Sequence, residues 1–206
     1  MNRIRFYLAR LFRLEAPLIA LSTPQADVLA ALKGKTVALI GNARSLSERD
    51  DGFGIDSADI VIRINRAPMP ASRTHGTRCD WLALATSISS ADLIRLQPDR
   101  ILWMSHKRKR LPWGITRRSG FYLHPLADWR ALRDRLGAPP TTGLMMIDLL
   151  ARADVARLTL YGFDFFASQS LTGSRRADQV PHDFAAEREF VEDLMARDPR
   201  VCLVGP

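Results

Sequence analysis

The chain has 206 residues, 47% of them hydrophobic and 25% charged, a size and balance that suit one folded domain and exclude disorder over most of its length. The net charge is +8, carried almost entirely by arginine, so the surface should attract something acidic: nucleic acid, anionic lipid or an anionic substrate. Two well-separated cysteines, Cys79 and Cys202, without CxxC spacing exclude a cysteine zinc site and a disulfide framework, leave room for a single bridge, and fit a reducing compartment.

No stretch reaches the ~18 consecutive apolar residues of a membrane span. The opening MNRIRFYLARLFRLEAPLIAL is amphipathic instead: Ile4, Tyr7, Leu8, Leu11 and Leu14, with Phe12 at the edge, follow a helical stripe, and Arg3, Arg10 and Arg13 lie mostly off it. Arg10, Arg13 and Glu15 interrupt the unbroken apolar core that a signal peptide would need. Two readings fit this helix: peripheral attachment to an anionic membrane face, or docking onto the rest of the protein. Residues 1–34 therefore read as an amphipathic helix and lead-in, and 35–206 as the main domain.

After Pro17 and Pro24, a short helix over 25–33 should end at Gly34. Thr36 to Ile40, Ile60 to Ile64, Trp81 to Ala85 and Ile101 to Met104 read as buried strands, with later ones at Leu158 to Tyr161 and Val201 to Val204. Helices are expected from Pro125 to Leu136, from Gly143 to Ala153 and from Ala185 to Ala196. Strands alternating with helices imply an α/β fold, a Rossmann-like, mostly parallel sheet with helices on both faces. Such sheets bind ligands beyond the carboxyl ends of their strands.

Four segments leave strand ends or open helices there. In VALIGNARSLSE (37–48), a strand meets Gly41, then Asn42, then a short helix whose exposed N–H groups favour a phosphate, with Asn42 adding an amide donor. The pattern is neither GxGxxG nor a Walker loop. In DIVIRINRAP (59–68), Asn65 ends a strand; Arg63 and Arg66 would neutralise an anion or pair with nearby carboxylates, and Asn65 also suits a plain turn. In PPTTGLMMIDLL (139–150), the prolines make Thr141 or Thr142 the natural N-cap, and Gly143 lets a ligand approach the backbone. In PHDFAAERE (181–189), Asp183 reads as an N-cap, with Glu187 one turn in and His182 just outside the helix start. The positive end of that helix favours the uncharged imidazole that a general base requires. His75, in a turn-like loop, His106, in the basic run 106–110, and His124, before Pro125, have weaker cases. There is no DxD, GxxxxGK[ST], HExxH or GxSxG.

In this order, the four segments resemble the sialyltransferase family of animal Golgi enzymes and bacterial relatives. VALIGNARSL with DSADIVIRINRAP and GTRCD is similar to its large motif, PTTGLMMIDLLARADVARLTLYGFDFF to its small motif, and His182 with Glu187 to its final motif of histidine, four residues, glutamate. The resemblance implies a single-domain variant of the GT-A glycosyltransferase fold, a CMP-activated acidic sugar (sialic acid or Kdo) as donor, a glycan or glycolipid acceptor such as a bacterial surface glycan, inversion at the anomeric carbon, and no metal or other cofactor. It implies that Asn42 and Asn65 contact the CMP phosphate and ribose. Thr141, Thr142 and Gly143 line the nucleotide and sugar side, His182 takes the acceptor proton, and Glu187 supports that end. CMP leaves as a single phosphate monoester, a charge that helix starts and amides could neutralise as preorganised dipoles.

The cysteines that animal members place in these motifs are Val or Ala here, which suits a bacterial cytoplasmic protein, peripheral on the inner membrane face if the first helix attaches. The family's aromatic-histidine motif is not recognisable between Ala167 and Val180, where Arg175 and Arg176 are candidates for its phosphate contact. A second reading is therefore a relative that binds a nucleotide or acidic glycan without turnover. A nucleic-acid binder rests on charge alone, since no RNA-binding or helix-turn-helix signature is present.

Overall fold

The computed structural model of the chain describes residues 1–165 and 181–205. Its sheet has strands β1 (Thr36–Ile40), β2 (Ile60–Ile64), β3 (Trp81–Leu84), β4 (Arg100–Trp103), β5 (Tyr122–Leu123), β6 (Arg157–Tyr161) and β7 (Val201–Leu203), in the order β5-β4-β3-β2-β1-β6-β7. Every pairing is parallel. Four of the five residues of β1 and of β2 are buried. That is the near-continuous apolar run expected of parallel strands covered on both faces. The chain winds outward from β1 to β5, then returns to the other side of β1 with β6 and β7. The winding reverses between β1 and β6, and such a switch point opens a crevice outside the carboxyl ends of the two strands.

The covering helices include α1 (Arg3–Leu11), α2 (Glu15–Ile19), α3 (Gln25–Ala30), α4 (Gly52–Asp56), α5 (Ser72–His75), α6 (Ser90–Leu96), α7 (Trp113–Thr116), α8 (Leu126–Leu136), α9 (Thr142–Ala151) and α10 (Phe184–Arg197). Helix α9 is buried nearly all round, through Leu144, Met145, Met146, Ile147, Leu149 and Leu150, so it forms the middle of the larger core rather than an amphipathic cover. Helix α8 stops where Gly137 takes φ +72°, a left-handed cap that costs a glycine little.

Residues 1–34 are built into the folded core: Val28 and Leu32 join the cluster around α9, Phe6 and Leu18 a second cluster with Leu82, Trp103 and Leu111, and all four are fully buried. The docked face of α1 is Phe6 and Ala9, not the stripe anticipated from periodicity. Ile4, Leu8, Leu11, Phe12 and Leu14 stay exposed by 48–72%. Arg63, expected to meet an anion or a nearby carboxylate, is only 1% exposed and donates from Nε to the carbonyl of Arg78 and from Nη2 to that of His75, both at 2.6 Å. It braces the loop after β2 instead. Cys79 and Cys202 are both free. No helix among the described residues is long and apolar enough to cross a membrane.

Candidate active site

Asn42 and Asn65 stand level at the centre of the sheet. Ile40 of β1 pairs with Arg63 of β2, so each asparagine lies two residues beyond a matched pair, on the carboxyl side of adjacent strands. Asn65 adopts φ +53°, a left-handed conformation that asparagine tolerates better than most residues. Its Oδ1 accepts from the N–H of Ala85 at 3.1 Å, which leaves the Nδ2 end as its donor.

In the turn after β1, two N–H groups are committed to the sheet end rather than open to a phosphate. Gly41 donates to the carbonyl of Tyr161 at 2.7 Å and Ala43 to that of Gly162 at 3.2 Å, so both groups extend the pairing with β6. The chain then enters a five-residue 3-10 helix, Arg44–Glu48, without a side-chain cap. The packing here admits no side chain on Gly41: a Cβ would lie 2.1 Å from the Gly162 carbonyl oxygen. Gly41→Ala is therefore expected to destabilise the fold by at least about 2 kcal/mol, measured by urea unfolding.

Phe163, which the sequence pattern does not single out, joins this turn to α9. A Cβ at Gly41 would be 3.2 Å from its Cδ2, and one at Gly143 would be 2.7 Å from its Cε1. The aromatic ring thus lies between two glycines from distant segments, at the β1–β6 switch point. Three glycines (41, 143 and 162) around an aromatic strand end are the sequence signal for such close packing.

The start of α9 holds the remaining donors. Thr141 is the N-cap, its Oγ1 accepting from Leu144 at 3.1 Å. The N–H groups of Thr142 and Gly143 have no acceptor among the described residues. They form the first turn of a ten-residue helix, where the dipole favours an anion. The Thr141 side chain and N–H are already committed: Oγ1 donates to Glu187 Oε2 at 2.7 Å and the backbone N–H to Oε1 at 2.6 Å. Glu187 is 4% exposed, and burial pushes its carboxyl up to about 7, against the lowering effect of the two Thr141 hydrogen bonds.

His182 lies just before α10, whose N-cap Asp183 accepts from Ala186 at 3.0 Å. Its Nδ1 is 2.7 Å from the carbonyl oxygen of Pro139. A carbonyl only accepts, so Nδ1 carries a proton; in the neutral tautomer this leaves the lone pair on Nε2, the arrangement of a base oriented by a second group. The segment 139–143 therefore gathers the site: Pro139 orients His182, Thr141 holds Glu187, and Thr142 with Gly143 presents donors.

The other histidines have structural positions. His75 is 1% exposed with Nδ1 2.6 Å from Thr74 Oγ1, and His106 stacks on Trp129. His124 is 1% exposed, and burial lowers it to about 4. Arg66 is exposed. Arg175 and Arg176 lie outside the described residues.

Residues 8–93 match the family model of glycosyltransferase family 29 (sialyltransferase). The match takes in Asn42 and Asn65 and ends before the segment 139–143 and His182. No curated protein sequence matches the chain. Among solved structures, a mammalian sialyltransferase is similar over 100% of this chain and 87% of its own, with TM-score 0.66 and 16% identity. The sialyltransferase CstII from Campylobacter jejuni, in complex with cytidine-5'-monophosphate, is similar over 84% of this chain and 81% of its own, with TM-score 0.59 and 16% identity. CstII with a trisaccharide acceptor and CMP has TM-score 0.54 at 16% identity, over 82% and 79% of the two chains. At these identities the likeness is one of fold, and it agrees with the GT-A-like, Rossmann-like architecture.

Proposed function

We propose that this chain, residues 8–93 of which match the sialyltransferase family model, is a member of that family and transfers an acidic sugar, sialic acid or Kdo, from its CMP-activated form to a hydroxyl of a bacterial surface glycan, with inversion. CMP occupies the crevice beyond β1, β2 and β6. Its phosphate meets the amides of Asn42 and Asn65 and the N–H groups of Thr142 and Gly143. His182 Nε2 removes the acceptor proton as the acceptor oxygen bonds to the anomeric carbon and the bond from that carbon to the phosphate oxygen breaks. CMP departs with the bonding pair. His182 acts as general base and Glu187 as a positioning group through Thr141. Neutralising one phosphate monoester asks less of the protein than a diphosphate would, and preorganised N–H dipoles supply it.

The observation that carries this reading is the 139–143 segment, which ties an oriented imidazole and an anion-ready helix start to one short stretch of backbone. The similar fold of CstII, solved with CMP and with a trisaccharide acceptor, supports the choice of donor and acceptor class.

The test is a melting series in EDTA. CMP at about a hundred times its dissociation constant should stabilise the protein by about 2.7 kcal/mol, a rise of roughly 5–10 °C for a chain of this size. UDP and GDP should give less. Equal shifts with all three, or none, would remove the CMP assignment. CMP-sialic acid and CMP-Kdo, each followed for CMP release above the spontaneous rate, separate the two donors. The aromatic-histidine motif missing from the sequence between Ala167 and Val180 favours a second reading, a binder without turnover, and absence of release with both sugars would select it.

A further inference from the structure

The two basic clusters of the sequence are neighbours in the fold. Helix α1 packs Phe6 against Trp113, with ring centroids 5.0 Å apart, and Arg10 Nη1 donates to the carbonyl of Leu111 at 2.9 Å. The helix thereby lies beside the turn that carries Lys107, Lys109 and Arg110, all exposed. Arg108 anchors that turn: it is buried, pairs with Glu15 at 2.6 Å, and donates to the carbonyls of Ser105 and His124. Ser105 and His124 follow β4 and β5, so this surface stands at the carboxyl end of the sheet, the end from which Asn42 and Asn65 also leave.

Around α1, the apolar side chains opposite the docked face form a continuous sector. Ile4 is 72% exposed, Leu11 55% and Leu8 48%. Successive residues turn by about 100°, which places these three and Tyr7 on one side of the helix, Phe6 and Ala9 on the other, and Arg3 and Arg5 at the two margins. Phe12 and Leu14, 66% and 50% exposed, continue the apolar surface past the helix end. Residues 1–14 contain no acid, nor do residues 100–127. Glu15, the first carboxylate after α1, is already held by Arg108.

We infer that this face seats the protein on an anionic membrane surface, with Ile4, Leu8, Leu11 and Phe12 entering the headgroup boundary and Arg3, Arg5, Lys107, Lys109 and Arg110 meeting lipid phosphates. An apolar sector between cations, facing away from the protein, is the form of an interfacial helix. The charge argues against a second copy as occupant: two such faces would bring one set of cations against another with no acid from these segments between them. The inference is independent of the transfer reaction, because it uses none of the groups assigned to it.

Co-sedimentation of the full chain with vesicles tests it. The protein should bind vesicles of phosphatidylcholine mixed with phosphatidylglycerol, bind phosphatidylcholine alone weakly, and release as salt rises. Lys107→Glu/Lys109→Glu/Arg110→Glu should lose on the order of a hundredfold in affinity, at roughly fivefold per cation. Ile4→Ser/Leu8→Ser/Leu11→Ser should lose binding while keeping the wild-type melting temperature, since all three are exposed. No binding by the wild type, or unchanged binding in both variants, would overturn the inference. So would self-association by sedimentation velocity that the serine variant abolishes in a protein that ignores vesicles. Melting shifts with CMP, recorded on the same samples, tell failure here from failure of the nucleotide site.

Discussion

His182→Ala is expected to lower sugar transfer by about 10²–10⁴-fold while leaving the CMP-induced melting shift intact. In the proposed reaction the nitrogen that takes the acceptor proton is Nε2, and nothing assigned to holding CMP passes through it. The hydrogen bond to Pro139 fixes the ring's orientation and tautomer. It also gives the imidazolium formed during transfer a partner for its Nδ1–H. His182→Gln tests whether chemistry or packing is at stake, because an amide can still reach a carbonyl but is no base at neutral pH. Both variants should fail in single-turnover transfer with CMP-sugar prebound. Full activity in His182→Ala would remove the residue from the reaction.

Glu187 should behave differently, affecting stability, nucleotide binding and transfer together. Removing its carboxylate in Glu187→Ala leaves the Thr141 N–H and hydroxyl without their acceptor, at a cost of about 2–3 kcal/mol. It also loosens the N-cap on which the Thr142 and Gly143 donors depend, so transfer should fall by about 10²-fold and CMP affinity should fall with it, unlike the His182 case. The pH dependence carries a definite sign. The folded-state value near 7 lies above the ordinary 4.5, so the carboxyl's contribution is fully present below the ordinary value and is lost as pH rises through about 7. The stability of the wild type relative to Glu187→Gln, which does not titrate, should shrink by about 2–3 kcal/mol between pH 5 and pH 8. Urea unfolding at the two pH values reads this directly, and a difference that grows with pH would contradict the burial argument.

Much of the fold was legible because its local signals are strong. The β-branched runs at 36–40 and 60–64 end where Gly41 and Asn65 leave the strand, and the observed limits of β1 and β2 coincide with them. Asp183 and Thr141 act as N-caps through the side-chain bonds their residue types favour. Strand β5 was missed because two residues, Tyr122 and Leu123, carry no period. Helix α6 was missed although Ser89 caps it with a bond from Asp92 at 3.0 Å.

The candidate site was legible as a set of segments but not as contacts. Periodicity finds an apolar stripe on α1, yet it cannot say which face meets the protein; Phe6, preceded by Arg5, is buried together with Ala9. Arg63 reads as a partner of an anion or of a carboxylate because its acceptors are backbone carbonyls 12 and 15 positions later, invisible to pattern. The same holds for the N–H groups of Gly41 and Ala43, claimed by the β6 end through a pairing of segments about 120 residues apart in sequence. Thr141, expected both as N-cap and on the nucleotide side, has its hydroxyl and N–H bonded to the helix start and to Glu187, a carboxylate 46 positions later that no local pattern reveals.

The most direct measurement is a crystal structure of the protein grown with CMP in EDTA. The account predicts the nucleotide phosphate within hydrogen-bond reach of the Asn42 and Asn65 amides and the Thr142 and Gly143 N–H groups, with His182 Nε2 facing it across the space for the sugar. Density for CMP away from the β1–β6 switch point, or an Nε2 turned from the phosphate, would contradict it.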